Sequence, residues 1–183
     1  MKHLHYFSGL ILLAVFCSCS GAKNAVSGAQ DMGALDTLIQ QKKFRVVNDW
    51  ANPMVTTAMM NVIGLLGPQH NAQRINLIGN SNYFEMKGDS VKAYLPYFGE
   101  RQMGGGYNTD GEAIQFDQEA TDMDIKYVKA KELYRMTFKA RKDSESFNVV
   151  LEVYGNKKTV LMVNSSQRNP IRYEGTIAAL KEE

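Results

Sequence analysis

Cysteine and histidine, the side chains that most often bind transition metals or act in catalysis, are scarce in this sequence. The 183 residues include two cysteines and three histidines, and only His70 lies beyond the first five residues. A structural zinc site takes four Cys or His ligands, and a catalytic triad needs a histidine base. His70 follows Gly67-Pro68-Gln69, and the chain has no Gly-x-Ser-x-Gly sequence. We therefore expect His70 to be an exposed loop residue, and we expect no metal or cofactor.

An excess of positive charge is also missing. The chain has 21 Lys and Arg residues against 19 Asp and Glu residues, and no basic stripe stands out along it. Nucleic-acid-binding domains carry a clustered basic patch. We therefore predict no nucleic-acid partner.

No hydrophobic run is long enough to span a membrane. The apolar stretch from Tyr6 to Phe16 follows a basic start at Lys2 and is broken only by Ser8 and Gly9. Eleven helical residues span about 16 Å, whereas a bilayer core is about 30 Å thick. A basic start, a short apolar run and small residues after it are typical of a secretory signal. We assign residues 1–18 as a signal peptide.

The end of this segment, Cys17-Ser18-Cys19-Ser20-Gly21, resembles the lipobox of bacterial lipoproteins. In that motif a small residue precedes the cysteine that becomes acylated. Ser18 before Cys19 fits the motif, whereas Phe16 before Cys17 is too bulky; Phe16 also stands where the motif usually has Leu. Lipidation of Cys19 would attach the protein to a membrane, because two acyl chains suffice for stable anchoring. The mature chain, from Cys19 to Glu183, would then keep no free thiol and would depend on its core alone.

The mature chain begins with small polar residues and then shows a helical and a strand pattern. Residues 19–30 have the composition of a flexible tether. Asp31 is a suitable helix cap, and Met32, Leu35, Leu38 and Ile39 follow at helical spacing. From Phe44 onward the apolar residues alternate with polar ones, which indicates strands. The alternating segments are Phe44–Trp50, Ile75–Ile78, Phe84–Met86, Val91–Leu95, Met123–Tyr127, Tyr134–Ala140, Phe147–Val153, Thr159–Val163 and Ile171–Ile177.

These segments predict one mainly β domain over residues 31–183. About nine or ten short strands joined by local turns are typical of an antiparallel meander, closed as a barrel or folded as a sandwich. The pattern does not distinguish between these two architectures. Asn52-Pro53 is expected to lie just beyond the first strand, and Gly88-Asp89 and Gly155-Asn156 are expected to form tight turns.

Three further segments have residue types that suggest chemistry. Six acids lie between Asp110 and Asp124, but they do not complete a calcium-binding loop. We interpret them as a solvated sheet face; a loose calcium site or a carboxylate pair for glycoside hydrolysis is the alternative. Gly104-Gly105-Gly106 lacks the frame of a phosphate-binding loop. Met54 to Leu66 is apolar at helical spacing, as in a core or lid helix or in a Met-rich surface for an apolar ligand.

Several motifs resemble those of the DUF4251 family, uncharacterised lipoproteins of Bacteroidetes. They occur in order between Phe44 and Thr176, and the most specific is Leu95-Pro96-Tyr97-Phe98-Gly99. The others are Asn52-Pro53, Gly88-Asp89-Ser90, Ile114-Gln115-Phe116, Asn164-Ser165-Ser166-Gln167-Arg168 and Ile171-Arg172-Tyr173-Glu174-Gly175. The resemblance implies a bacterial cell envelope and implies no activity. Exported surface lipoproteins of Bacteroidetes usually carry acids just after the cysteine, and Ser20-Gly21-Ala22-Lys23 lacks them, which favours the periplasmic face of the outer membrane.

The Leu-Pro-Tyr-Phe-Gly motif indicates a rim of the fold. Pro96 has no backbone N–H and should end a strand, so Tyr97 and Phe98 should follow at the rim beside the glycine-rich loop that contains Tyr107. Arg168 is expected to pair with a carboxylate or to stack on a ring. In one interpretation Tyr97, Phe98, Tyr107 and Arg168 form a ligand-binding lip. In the other, the aromatic residues plug one end of the fold and Arg168 caps them.

Two classes of function follow from the sequence. The scarcity of acid–base and nucleophilic groups favours a non-catalytic, lipid-anchored envelope module that binds a small apolar ligand, a glycan or another protein. The alternative is a carboxylate-dependent envelope enzyme such as a glycan hydrolase.

Overall fold

The computed structural model describes residues 24–54, 73–102 and 113–180, with side chains from Met32 onward. The sequence predictions for the signal peptide, Cys19, His70, the apolar segment after Met54, Gly104–Gly106 and Tyr107 lie outside these residues. No helix in the described ranges is both long enough and apolar enough to cross a bilayer.

The N-terminal element is helix α1, Asn24–Gln41. It begins seven residues before Asp31, so the part of the expected tether from Asn24 onward is helical; this segment contains Ala and Gln, which favour helices. Leu35 and Ile39, one turn apart, are buried against the sheet. The helix ends where Lys42 takes a left-handed conformation with φ of 48°.

Ten strands follow, as the alternation predicted, and the mainly antiparallel β class is confirmed. They are β1 (Lys43–Pro53), β2 (Ile75–Asn76), β3 (Tyr83–Lys87), β4 (Ser90–Leu95), β5 (Ile114–Glu119), β6 (Thr121–Val128), β7 (Leu133–Lys142), β8 (Glu145–Tyr154), β9 (Lys158–Ser165) and β10 (Ile171–Ala179). Two details differ from expectation. β1 includes Asn52 and Pro53, and Pro53 lies at its end, opposite Ile171, where a missing N–H is tolerated. β5 is the strand that the alternation did not assign.

The strands form one sheet in the order β5-β4-β3-β1-β10-β9-β8-β7-β6, and β2 pairs with β1. Every pairing is antiparallel. The first and last strands, β1 and β10, therefore lie side by side in the middle of the order.

The sheet curls into a nearly closed barrel because β5 and β6 follow one another as a single bent strand. β5 pairs with β4, Ile114 lying opposite Leu95, whereas β6 pairs with β7, Val128 lying opposite Leu133. At the join, the Gln118 amide faces the Arg141 backbone and, in the orientation that satisfies both groups, accepts from its N–H at 2.8 Å and donates to its carbonyl at 2.7 Å. The structure thus favours a barrel over the sandwich that the sequence left open.

The barrel interior is filled by aromatic rings. A chain of ring contacts runs from Phe44 to Phe84, Phe138, Phe116 and Phe147, with centroid separations of 5.5 to 6.4 Å. All five side chains are at least 96% buried. At the level of these rings the interior is core rather than a ligand cavity.

One irregularity in β1 shapes the outer surface. The register against β10 shifts between Asn48 and Trp50, which is a β-bulge. Gly175 lies opposite Asn48, and a Cβ at position 175 would meet the Val47 carbonyl oxygen and lie 2.7 Å from the Cα of Asn48. The bulged backbone therefore requires glycine at this position of β10.

Candidate functional site

The segment after β4 turns inward at Tyr97. Its side chain is 6% exposed, and its single O–H is shared between two carbonyl oxygens, that of Glu100 at 3.0 Å and that of Asn169 at 3.2 Å. Burial raises the pKa of Tyr97, whereas the positive charge of the nearby Arg168 lowers it. The guanidinium of Arg168 lies 5.1 Å from the centre of the Tyr97 ring, within the range of a cation–π contact. Arg168 therefore covers a buried aromatic ring.

Arg168 also forms a buried ion pair. Its Nε donates to the Glu145 carboxylate at 2.9 Å, and the two side chains are 8% and 7% exposed. The Ser165 hydroxyl donates to the same carboxylate and accepts the backbone N–H groups of Gln167 and Arg168 at 2.9 and 3.2 Å. Because a buried charge without partners is costly, these contacts fix both Glu145 and Arg168 in one geometry.

A second arginine approaches the same carboxylate from the segment after β4. An Nη atom of Arg101 lies 3.8 Å from Glu145 and donates to Oε1 of Gln167 at 2.8 Å. Gln167 in turn donates from Nε2 to the Ser144 hydroxyl at 3.0 Å. Two guanidinium groups thus converge on one buried carboxylate.

Backbone contacts hold this segment against the turn that precedes β10. Arg101 and Arg168 form an isolated antiparallel bridge, and the N–H of Gln102 donates to the Gln167 carbonyl at 2.7 Å. The Gln102 side chain donates to the Asn169 side chain at 2.6 Å. The two arginines are therefore positioned by the backbone as well as by their ion pairs.

These side chains border a polar cleft of about 120 Å³ at this end of the barrel, which we call the arginine cleft. Its lining includes Arg101, Gln115, Lys142, Glu145, Gln167 and Arg168, with Asp143 among the remaining residues. Among the described lining residues, three cations face two carboxylates. The chain leaves the described structure after Gln102 and returns at Ala113, which also lines the cleft.

The structure brings together two of the four residues predicted for a binding lip. Tyr97 and Arg168 are in contact, and Arg168 makes both of the interactions expected of it. Phe98 is half-buried and packs against the core, and Tyr107 lies outside the described residues. The burial of Tyr97 supports the plug interpretation for that side chain, whereas recognition at the rim stays a prediction.

Sequence analysis did not identify Glu145, Arg101, Gln167 or Lys142. One signal for Glu145 was present, because it precedes Phe147 and Val149 by two and four residues in β8, on the same inward-facing alternation. A carboxylate in that register must find a partner. No comparable signal marks Arg101, whose place depends on the pairing of two distant segments.

Three of the acids between Asp110 and Asp124 pair with lysines on the surface. Lys92 lies 2.9 Å from Asp117, and this hydrogen bond and charge raise the pKa of Lys92. Asp122 pairs with Lys139 at 2.7 Å, and Asp124 pairs with Lys126 at 2.9 Å. The register of β6 against β7 shifts between Thr121 and Asp124, and Asp122 within this bulge has φ of 53°. The described residues contain no group of three metal-ligating side chains.

Fold and cleft together define a small antiparallel β-barrel domain with an N-terminal helix and a charged cleft at one end. The chain belongs to the DUF4251 family, a domain of unknown function whose model matches residues 27–177. A crystal structure of a DUF4251 family protein from Bacteroides eggerthii DSM 20697 is similar, with a TM-score of 0.55 and 11% sequence identity over 85% of this chain and 89% of that chain. No curated protein matches the chain. The predicted family is thereby confirmed, and at this identity the structural similarity concerns the fold.

Proposed function

We propose that this protein is a lipid-anchored module of the bacterial cell envelope that binds an anionic, oxygen-rich group in the arginine cleft without transforming it. The observation that carries the proposal is the convergence of Arg101 and Arg168 on the single buried carboxylate of Glu145. Arg168 neutralises that carboxylate, and Arg101 brings a second, partly exposed guanidinium to the cleft.

The two arginines have different roles in this proposal. Arg168 is buried and engaged by Glu145 and the Tyr97 ring, so it shapes the floor of the cleft. The Arg101 side chain is 44% exposed and is oriented by Gln167. Guanidinium groups bind carboxylates and phosphates through two parallel hydrogen bonds. Arg101, with the exposed Lys142 nearby, is therefore the group that would contact the ligand.

The chemistry of the cleft favours this ligand class over the others predicted from sequence. A cleft of about 120 Å³ is much smaller than pockets for drug-sized ligands, so it fits a terminal carboxylate or phosphate group rather than a whole apolar molecule. A glycan with an acidic sugar is one ligand of this kind. The enzyme alternative would need a pair of available carboxylates. In the part of the cleft that the structure describes the acids are Asp143 and Glu145, and Glu145 is already held by Arg168 and Ser165.

Ligand binding is tested by NMR titration of the isotope-labelled protein with glucuronate, inorganic phosphate and glucose. Glucuronate or phosphate should shift the signals of Arg101, Gln167 and Lys142, and glucose should not. Arg101→Gln should weaken binding about tenfold, because a hydrogen bond to a charged group contributes about 1.5–3 kcal/mol.

The matched control for this titration is Arg45→Gln. It removes another exposed arginine, which pairs with Glu85 at 2.7 Å and lines neither the cleft nor its rim. Its affinity should stay within about twofold of the parent, since the contribution of surface ion pairs is small. Unmoved cleft signals with both anions, or equal affinity in Arg101→Gln, would contradict the proposal.

The membrane anchor is supported by the basic start, the short apolar run and the small residue before Cys19. Cys19→Ala should move the protein from the membrane fraction to a soluble or uncleaved form, whereas Cys17→Ala should leave it membrane-bound. Fractionation with detection of acylation by mass spectrometry measures both. The opposite pattern would place the anchor at Cys17. The short sequence after Cys19 lacks acids, which supports the periplasmic face of the outer membrane.

A further inference from the structure

A second concave site lies on the outer surface of the barrel, where β1, β10 and β9 run side by side. Trp50, Glu174 and Val160 are directly opposite one another across these three strands. Together with Arg74 and Tyr154 they border a groove of about 240 Å³, which we call the tryptophan groove. It shares no lining residue with the arginine cleft.

The backbone around this groove is fixed by the bulge in β1. The bulge lies directly before Trp50, and the short strand β2 pairs with Trp50 through Asn76. The Asp49 carbonyl accepts the N–H of Leu77 at 2.8 Å, and Gly175 borders the groove where only glycine fits. Bulges commonly occur where a strand must redirect a side chain at a functional site. The irregularity here directs Asp49 and Trp50 into the groove lining.

The groove combines aromatic surface with balanced charge. The Arg74 guanidinium lies 4.1 Å from the centre of the Trp50 ring and 3.2 Å from the Glu174 carboxylate. Within the lining, Asp49 and Glu174 are negative and Arg74 and Lys158 are positive, and Arg172 beside the lining also pairs with Glu174 at 3.1 Å. Because carboxylates and cations alternate around the groove, it favours a ligand that both donates and accepts hydrogen bonds over one with a single strong charge.

We propose that the tryptophan groove binds a neutral sugar ring. A pyranose has an apolar face of C–H groups, which suits Tyr154, Val160 and the exposed part of the Trp50 ring beside the Arg74 guanidinium. Its rim of hydroxyls donates to carboxylates and accepts from a guanidinium. The volume of about 240 Å³ is just below the range for drug-sized ligands and fits a single ring. This site goes beyond the anion binding proposed for the arginine cleft.

Trp50 is the only tryptophan of the chain, so tryptophan fluorescence reports on this groove alone. Glucose, galactose and N-acetylglucosamine are titrated separately up to about 50 mM, well above the roughly millimolar dissociation constant expected for so small a ligand. At least one sugar should give a saturable change in Trp50 emission. Glu174→Gln keeps the side-chain size but removes the charge, and it should weaken that response about tenfold.

Two further variants keep the test decisive. Circular dichroism shows whether Glu174→Gln keeps the fold. If it does not, Asp49→Asn replaces it as the test, and this variant should weaken the response in the same way. Glu85→Gln, which removes an ion-paired carboxylate elsewhere on the barrel, should leave the response unchanged. Arg101→Gln should also leave it unchanged, because that residue belongs to the other site. No saturable change with any of the three sugars, or an unchanged response in both Glu174→Gln and Asp49→Asn, overturns the proposal.

Discussion

At the scale of single residues, Tyr97 shows how one side chain connects the core to the arginine cleft. Its ring is buried under Arg168, and its hydroxyl bonds two carbonyls, one on each side of the bridge between the segment after β4 and the turn before β10. Tyr173, entirely buried in β10, donates to the Pro96 carbonyl at 2.8 Å. The Pro-Tyr-Phe sequence is thereby bonded to β10. This contact gives a physical reason why it occurs together with the distant motif Ile171-Arg172-Tyr173-Glu174-Gly175.

Truncation of the two rim aromatics distinguishes a structural role from a recognition role. Tyr97→Ala should lower the free energy of unfolding by about 3–5 kcal/mol, as expected for a large buried side chain. Phe98→Ala should cost less, because Phe98 is only partly buried. Urea unfolding monitored by circular dichroism measures both. A urea unfolding curve for Tyr97→Ala that overlays the parent curve would contradict the structural role and favour Tyr97 as an exposed recognition residue.

Sequence patterns located the candidate site only in part, for reasons that differ from residue to residue. Pro96 predicted the end of a strand, with the aromatic residues just after it. Arg168 was expected to pair with a carboxylate or to stack on an aromatic ring. The identity of that carboxylate, Glu145, was hidden because its strand begins 23 residues earlier and its inward direction depends on the register of β8. Arg101 carries no local signal, since a backbone bridge between distant loops positions it.

At the scale of elements, period-two alternation predicted nine of the ten strands because most strands bury one face, and even β6 packs Met123 and Ile125 partly against the core. β5 escaped because it offers only Ile114 and Phe116 as buried apolar positions before its charged end. The start of α1 was misplaced because small polar residues suit both a tether and a helix. Barrel closure was not predictable, since it depends on β5 and β6 pairing with different neighbours, which is a long-range property.

The bulge in β1 predicts that Gly175, which lies opposite it, cannot be replaced without a loss of stability. Gly175→Ala should destabilise the fold by about 3 kcal/mol, because its Cβ would overlap the Val47 carbonyl and force the two strands apart. Gly33→Ala is the matched control: it lies within α1 with nothing within 4 Å of the added carbon. That variant should be stabilised by about 0.5–1 kcal/mol. Urea midpoints of both variants test this, and equal effects would show that the strands relax around the new methyl group.

At the scale of the whole molecule, four tyrosines couple stability to alkaline pH. Burial raises the pKa of Tyr173 well above its usual value of 10.0, and burial also raises the pKa of Tyr97 and Tyr154. Burial, with the hydrogen bond to Asp36, raises the pKa of Tyr134 to about 12. Between the unfolded pKa near 10 and these higher values, the folded state keeps protons that the unfolded state loses. The contribution of these groups to stability is therefore complete below about pH 10 and is lost as the pH rises further.

We expect the free energy of unfolding to decline from about pH 10 upward, with a shallower decline in Tyr173→Phe. One group retained in this way changes the slope by up to about 1.4 kcal/mol per pH unit. Tyr173→Phe should also cost about 1 kcal/mol at neutral pH through the lost hydrogen bond to Pro96. Urea midpoints at neutral and alkaline pH give both quantities. Parallel pH profiles for the parent and the variant would mean that Tyr173 ionises in the folded state as readily as in the unfolded one.

The central position of β10 has a consequence for how the chain is made. The N-terminal part of a chain is synthesised first. The edge of β1 opposite β3 therefore stays unpaired until residues 171–179, which form β10, have been synthesised. Until then the sheet is an open ribbon with two bare edges, β1 and β9, and bare edges invite pairing with other chains. A product truncated before β10 should therefore be bound by chaperones or degraded by proteases more readily than the closed barrel. The barrel can therefore close only in a product that has been synthesised through Ala179.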